Sequence, residues 1–436
     1  MKLIRKIGVV IATAVAVLCC GCGNSDTASK NNTPSVEKAQ SKSPDVAFTV
    51  PQTISESDSS NEITYFGNQD ISAVAELFEK NTGCTVNVEK SESDYINVLS
   101  EKISSDDSPD LCDKVENTFP YLISMNFYED LTDYIDITSP QWSDYTDIID
   151  YYSFKGGKFF YPTTVKVMPQ FLIYVKTTYV QCGNVPDPEK LWLMDEWTWN
   201  TFKQGANSVL GCPMSSADAL LCGRDIFDNF LATSGEPIFP RNGNVFSNGL
   251  ETWNAQCVSE LLSTQKIKHT DEFDADTEMP YFVFLSGDEK TLAELRKTDL
   301  SVGAVPYPRY EEADKYYCKA VSEGFLVPKG AKNIKSAASF INCSRIVDAS
   351  DEQREKNEQK LMDSGLLLSD VEWLESIRSS DKMTPILVED NCFDDSTNTA
   401  VQKITEFTYI DSWNELSEEC FPVIDRALEK INAVTE

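Results

Sequence analysis

The chain has 436 residues, a formal net charge of −32 and a single histidine, His269. Such a charge repels phosphate backbones and anionic lipid, which argues against nucleic-acid binding and against docking through a basic patch. One histidine excludes a His-rich zinc or iron site, and a Ser-His-Asp triad would have to be built on His269, which stands in a polar run over residues 266–271 and reads as solvated surface.

Lys2, Arg5 and Lys6 precede an apolar stretch over residues 7–18, followed by Cys19-Cys20-Gly21-Cys22. A basic start, a short apolar run and small residues at a cut form a secretory signal. The run is much shorter than the ~20 residues that a membrane-spanning helix needs. Cys22, directly after Gly21, resembles the lipidated cysteine of a bacterial lipobox, with Cys19 where the usual Leu stands and Cys20 as an alternative cut site. The plainer reading is an ordinary secretory signal with incidental cysteines. Removing residues 1–21 takes the formal charge from −32 to −35. Residues 22–61 are rich in Ser, Thr, Asn, Asp, Lys and Pro, a composition expected to stay a disordered tether with an end-to-end distance on the order of 35 Å. The remaining body is long enough for two or three domains.

The body opens with an expected strand over residues 62–66 and a turn at Gly67-Asn68-Gln69. Asp70 is placed to cap a helix carrying Ile71, Val74, Ala75 and Phe78 on one face, which Gly83 ends. Residues 85–89 alternate as a second strand, residues 95–103 are helical with Ile96, Leu99 and Ile103 inward, and Pro109-Asp110-Leu111-Cys112 is a short buried segment. This β-α-β-α-β order implies a parallel sheet with helices on both faces. Such sheets bind ligands beyond the carboxyl ends of their strands, here the loops 67–69, 91–94 and 116–118. The alternation continues with strands over 171–175, 299–305 and 325–327. Helices are expected from Trp199 (capped by Thr198), over 251–262 with Trp253, Cys257 and Leu261 on one face, over 335–346 and over 423–431. Ten cysteines lie beyond the signal, and none forms a Cys-x-x-Cys pair, so neither a zinc ribbon nor a thioredoxin-like motif is present. They are read as mostly free thiols, several as small hydrophobes in helical runs. The acidic run Asp390-Asn391-Cys392-Phe393-Asp394-Asp395 lacks the Gly and distal Glu of a calcium loop and reads as solvated. No metal or cofactor is indicated.

Several stretches together resemble the extracellular solute-binding proteins of ABC importers, especially the carbohydrate-binding group. They are residues 62–80, Ser108-Pro109-Asp110-Leu111, residues 127–135, Gly156-Gly157-Lys158-Phe159-Phe160-Tyr161-Pro162, Tyr174-Val175-Lys176, Trp197-Thr198-Trp199-Asn200-Thr201-Phe202, residues 302–308 and residues 324–331. Val175 and Asn200 depart from the usual residues. The resemblance implies an α/β, two-lobed periplasmic-binding-protein-like fold (type II) with a mainly parallel, helix-flanked sheet in each lobe. Residues 62–163 and 319–360 would form lobe 1, residues 164–318 the first part of lobe 2, and residues 361–436 lobe 2 and hinge-packing helices. Crossings are expected near residues 163–165, near 318–320 and within 350–370. It also implies a lipid-anchored protein on the extracytoplasmic face of the cell membrane, monomeric and not an enzyme. Its partners would be a small-molecule ligand, a sugar or oligosaccharide captured by hinge closure, and an ABC permease.

A sugar site needs flat aromatic faces and polar groups for the hydroxyls, because a buried unpaired hydroxyl costs about 1–3 kcal/mol. The expected cleft loops supply Asn68, Gln69, Glu116, Asn117, Thr163, Thr164, Phe284, Asp288, Ser322 and Glu323, with Ser286 beside them. Asn68 equally suits a turn cap. Trp253 reads as core, Trp197 and Trp199 as structural packing, and Tyr151-Tyr152 and Tyr316-Tyr317 as hinge packing. Competing readings are a surface glycan receptor not coupled to transport and a surface glycosidase using paired carboxylates, for which no pair stands out at strand ends.

Overall fold

The computed structural model describes residues 58, 60–91, 94–183, 185–213, 215, 219–222, 225–265, 267–269, 282–389, 392–407 and 413–435. Cys22 and nearly all of the 22–61 segment lie outside them. The chain opens as expected: β1 (Glu62–Phe66), α1 (Ser72–Thr82), β2 (Thr85–Glu89), α2 (Tyr95–Ser104) and β3 (Leu111–Asp113). Gly83 ends α1 in the left-handed conformation at φ 74°, its N–H bonded to Glu79 O. Asp70 does not cap that helix. Its carboxylate instead accepts from the N–H and hydroxyl of Ser72, so Ile71 occupies the cap position. β1 pairs in parallel with β2 and β3, which puts the carboxyl ends of all three on one edge.

After α3 (Thr146–Tyr151) and β4 (Tyr161–Val167) the chain enters a second sheet. Its elements are β5 (Phe171–Val175), α4 (Lys176–Gln181), α5 (Pro188–Leu193), α6 (Trp199–Leu210), β6 (Ala219–Cys222) and α7 (Ile226–Thr233). The short hairpin β7 (Arg241–Asn242) and β8 (Val245–Phe246) follows, then α8 (Trp253–Ser263), β9 (Ile267–His269), β10 (Phe282–Gly287), α9 (Glu289–Arg296) and β11 (Val302–Val305). This sheet has the order β11-β5-β10-β6-β9. Return to the first sheet is by β12 (Tyr316–Leu326), followed by α10 (Ile334–Asp348), α11 (Asp351–Ser364), α12 (Leu368–Arg378), β13 (Met383–Leu387), α13 (Asp395–Phe407) and α14 (Trp413–Thr435).

Both sheets are mixed. β12 is antiparallel to β3 and β4 and parallel to β13, and β5 is antiparallel to β10 and β11. The antiparallel pairs arise where the chain crosses over and comes back. The two expected crossings at 163–165 and 318–320 lie inside β4 and β12, which run side by side with Ser322 opposite Val165. Residues 361–436, assigned from sequence to the second lobe, also contribute β13 to the first sheet.

The cores follow the aromatic residues. Tyr65, Phe78, Phe325 and Phe340 interlock edge to face between β1, α1, β12 and α10. In the second sheet Trp197 and Trp199 pack structurally, their indole N–H groups bonded to Pro306 O at 2.8 Å and Thr233 Oγ1 at 2.9 Å. Trp253, expected in the core, is 63% exposed. It is the first residue of α8, after the Thr252 cap, and the buried face of that helix is Ala255, Val258, Ser259, Leu261 and Leu262. Asn342, 2% exposed on α10, accepts the Trp142 indole N–H at 2.7 Å. Asn342→Ala leaves that donor unpaired, so guanidinium denaturation should show a loss of about 1–3 kcal/mol.

Candidate functional site

The carboxyl edge of β1 and β3 is organised by Asp113. Its carboxylate accepts the Tyr65 hydroxyl at 2.5 Å and the Asn68 N–H at 2.8 Å, and the Gln69 N–H reaches Tyr65 Oη at 3.0 Å. Gly67 is required here, because a Cβ would lie 2.6 Å from Asp113 Oδ2. Burial pushes the Asp113 carboxyl up from its ordinary range, partly opposed by these donors. Asn68 and Gln69 therefore sit exposed at a rigid rim.

Lys114 follows directly and points into a seam between elements of the two sheets. Its Nζ lies 2.6 Å from Glu389 Oε2, with the two side chains 13% and 9% exposed. The other Glu389 oxygen accepts the Tyr152 hydroxyl. Burial, then the Glu389 charge, pushes the Tyr152 phenol well above its ordinary value, so it stays a donor. Tyr152 meets Tyr151, Phe119 and Phe160 edge to face. The remaining wall is Pro237, Ile238, Phe239 and Phe246 from the second-sheet side.

The Gly243-Asn244 turn, with Gly243 at φ 62°, closes the β7–β8 hairpin and presents Arg241 across the seam. The Arg241 guanidinium lies 5.4 Å from the Phe119 ring and 5.3 Å from the Phe246 ring. It donates to the carbonyls of Tyr151 and Ser153, at the C-terminal end of α3, and to Asn244 Oδ1. Carbonyls at a helix C-terminus carry partial negative charge and suit a cation. The volume left between these walls is about 10 Å³, lined by Phe119, Tyr151, Phe239, Phe246, Glu389 and Cys392 among others. A larger hollow of about 540 Å³ involves Thr132, Tyr134, Ile137, Lys158 and Lys335, but it lies wholly on the first-sheet side. Among the described residues no group of three or more His, Cys, Asp or Glu could hold a metal ion, and no helix is long and apolar enough to cross a membrane.

Of the residues expected from sequence, Asn117 and Ser322 reach this region. Asn117, at φ 65°, accepts a hydrogen bond from Asn398 of α13, and Ser322 is buried beside Tyr152. Glu116 is exposed next to Asn117. Five others do not reach it. Thr163 and Thr164 hold the Asp348 carboxylate of α10, and Glu323 pairs with Lys166 on the exposed face of the sheet. Phe284 is fully buried among Tyr174, Tyr179, Trp197 and Phe202, because residues 282–287 are a central strand and not a loop. Asp288 caps α9 through Thr291, and Ser286 bonds Tyr307. Lys114, Arg241 and Glu389 are not among the residues expected from sequence. The Gly243-Asn244 turn is a readable hairpin signal. Glu389 borders the acidic run that reads as solvated, in which Cys392 and Phe393 are in fact buried.

Residues 73–237 match the family model described as "Bacterial extracellular solute-binding protein". No curated protein matches the chain. Among solved structures, the sugar-binding protein MalE from Xanthomonas citri superposes with a TM-score of 0.60 at 15% identity, covering 86% of this chain and 98% of that one. The cyclic alpha-maltosyl-1,6-maltose binding protein from Arthrobacter globiformis gives 0.61 at 11% identity, covering 85% and 99%. An ABC substrate-binding protein from Listeria monocytogenes in complex with cycloalternan gives 0.55 at 15% identity, covering 85% and 98%. The architecture is the two-lobed α/β fold of these proteins.

Lys114→Ala strips the cation from a buried carboxylate, and urea denaturation should show a loss of about 3 kcal/mol. Replacing both partners, with Lys114→Met and Glu389→Gln together, should recover much of it, since no orphan charge remains.

Proposed function

We propose that this chain, residues 73–237 of which match the extracellular solute-binding family, is the substrate-binding protein of an ABC importer and captures a sugar or oligosaccharide at the seam between its lobes. The observation that carries this reading is the composition of the seam. Aromatic rings from both sides (Phe119, Tyr151, Tyr152, Phe239 and Phe246) surround a short set of strong polar groups, Lys114, Glu389 and Arg241. Aromatic surface covers the C–H face of a pyranose, and charged donors and acceptors satisfy its hydroxyls. Asn68, Gln69, Glu116 and Asn117 stand at the rim and would meet a longer glycan.

The seam volume of about 10 Å³ is far below the roughly 300 Å³ and more of a small-molecule site. Ligand therefore enters by separation of the lobes, and closing transmits occupancy to a membrane permease. On this reading the protein binds and hands on its ligand without altering it, works as a monomer and needs no cofactor. Cys22 carries the lipid that keeps it at the extracytoplasmic face of the membrane, and residues 22–61 join that anchor to the body.

A thermal-shift screen of the full chain against sugars, oligosaccharides, polyols, amino acids and polyamines tests the ligand class. A true glycan ligand at a hundredfold excess over its dissociation constant stabilises by about 2.7 kcal/mol. Tyr151→Ala should lose most of that shift while the protein stays folded. Stabilisation by peptides or amines alone would sink the sugar reading. For the anchor, Cys22→Ser should move the protein from the membrane fraction to the medium. Retention in that variant, lost on Cys20→Ser, would assign the lipid to Cys20.

A further inference from the structure

Among the cysteines with described side chains most are buried, while Cys182, Cys212 and Cys257 are partly exposed. Cys182 and Cys212 are neighbours, with the Cys182 thiol within hydrogen-bonding reach of Cys212. The helices explain why. Cys182 ends α4, its N–H bonded to Thr178 O at 3.0 Å, and Cys212 follows α6, its N–H bonded to Val209 O at 3.1 Å. The two helices touch where Gly205 of α6 faces Tyr179 of α4, a Cβ at Gly205 lying 3.7 Å from the Tyr179 hydroxyl. Cys182 is the C-cap residue of α4, three residues beyond Tyr179, and Cys212 lies just past the end of α6, seven residues beyond Gly205. The contact between the helices thus delivers both thiols to one place at the surface of the second sheet's helical layer.

We propose that Cys182 and Cys212 form a disulfide after export, stapling the C-terminal ends of α4 and α6. Where the oxidant is met rests on the extracytoplasmic location proposed above; the pairing itself does not. Both S–H bonds break, one S–S bond forms, and the two protons end on the two new thiols of the oxidant. The two electrons pass to a disulfide-bearing oxidant, whose own S–S bond becomes two thiols. Burial, and then the neighbouring Cys212, pushes the Cys182 thiol up to about 11, so exchange is slow at neutral pH and quickens as the pH rises. The closed loop spans residues 182–212 and contains α5 and α6, so the bond restricts the unfolded chain most.

The test uses the full chain, purified reduced and then incubated with oxidised glutathione or with a phosphine reductant. Free thiols are alkylated and the tryptic peptides mapped by mass spectrometry. Oxidised protein should yield peptide 177–190 joined to peptide 204–224. Because the second peptide also holds Cys222, the link must survive Cys222→Ser and vanish in Cys212→Ser. Oxidation should also raise the melting temperature by a few degrees in the unsubstituted chain and leave Cys212→Ser unchanged. Full alkylation of Cys182 and Cys212 after oxidation, or a link that persists in Cys212→Ser, overturns the proposal. Neither readout depends on any ligand, so failure here leaves the transport reading untouched.

Discussion

The arrangement of the two halves turns on one half-buried cation, Arg241. Arg241 leaves the second-sheet side on a tight hairpin and ends against the α3 carbonyls of the first-sheet side, between the rings of Phe119 and Phe246. A guanidinium removed from water needs partners for its charge, and burial lowers its pKa here. Hydrogen bonds to a charged group are worth about 1.5–3 kcal/mol each, and a cation–π contact about 0.5–2 kcal/mol. Part of this returns when the group rehydrates on opening. On the proposed reading, the remainder would bias the protein toward a closed form, and a ligand could add to that bias only through interactions made in the closed form and absent from the open one.

The same reasoning describes what capture replaces. In the closed seam Glu389 is held by Lys114 and Tyr152, and Arg241 by carbonyls. Hydroxyls entering the seam would exchange with these internal partners, a trade of similar bonds with little net gain. On the proposed reading, net affinity would then come from the aromatic rings, whose apolar surface leaves water around the ligand at roughly 25 cal/mol per Å². Polar groups set orientation and selectivity, and rings set strength. The overall charge of −32 says nothing about this site, where two cations face one carboxylate among the described residues.

Local pattern is legible where it is locally caused. The 3.6-residue spacing of Val74 and Phe78, the Gly83 stop and the Thr198 cap are short-range effects, and each stands where the sequence puts it. The strand over 282–287 escapes such reading, because an apolar run next to a turn-rich stretch has no distinguishing period. Phe284 reads as a loop residue on that account. The site is legible by half. Asn117 and Ser322 follow β3 and lie in β12, whose place the fold class implies. Arg241 and Glu389 lie about 150 residues apart, and nothing in their own surroundings announces that they line one seam. Only long-range packing, with β12 bridging β3, β4 and β13, brings them there.

That bridging strand also joins the two halves. β12 and β4 carry the crossings as paired neighbours inside one sheet, so their backbone groups stay satisfied on both sides of the bend. On the proposed reading, opening would break seam interactions such as Arg241 with the α3 carbonyls and the ring of Phe119 with that of Phe246. The residues that separate on opening are then, on that reading, also the ones positioned to meet a ligand. Occupancy and shape would, on the same reading, be set by the same side chains.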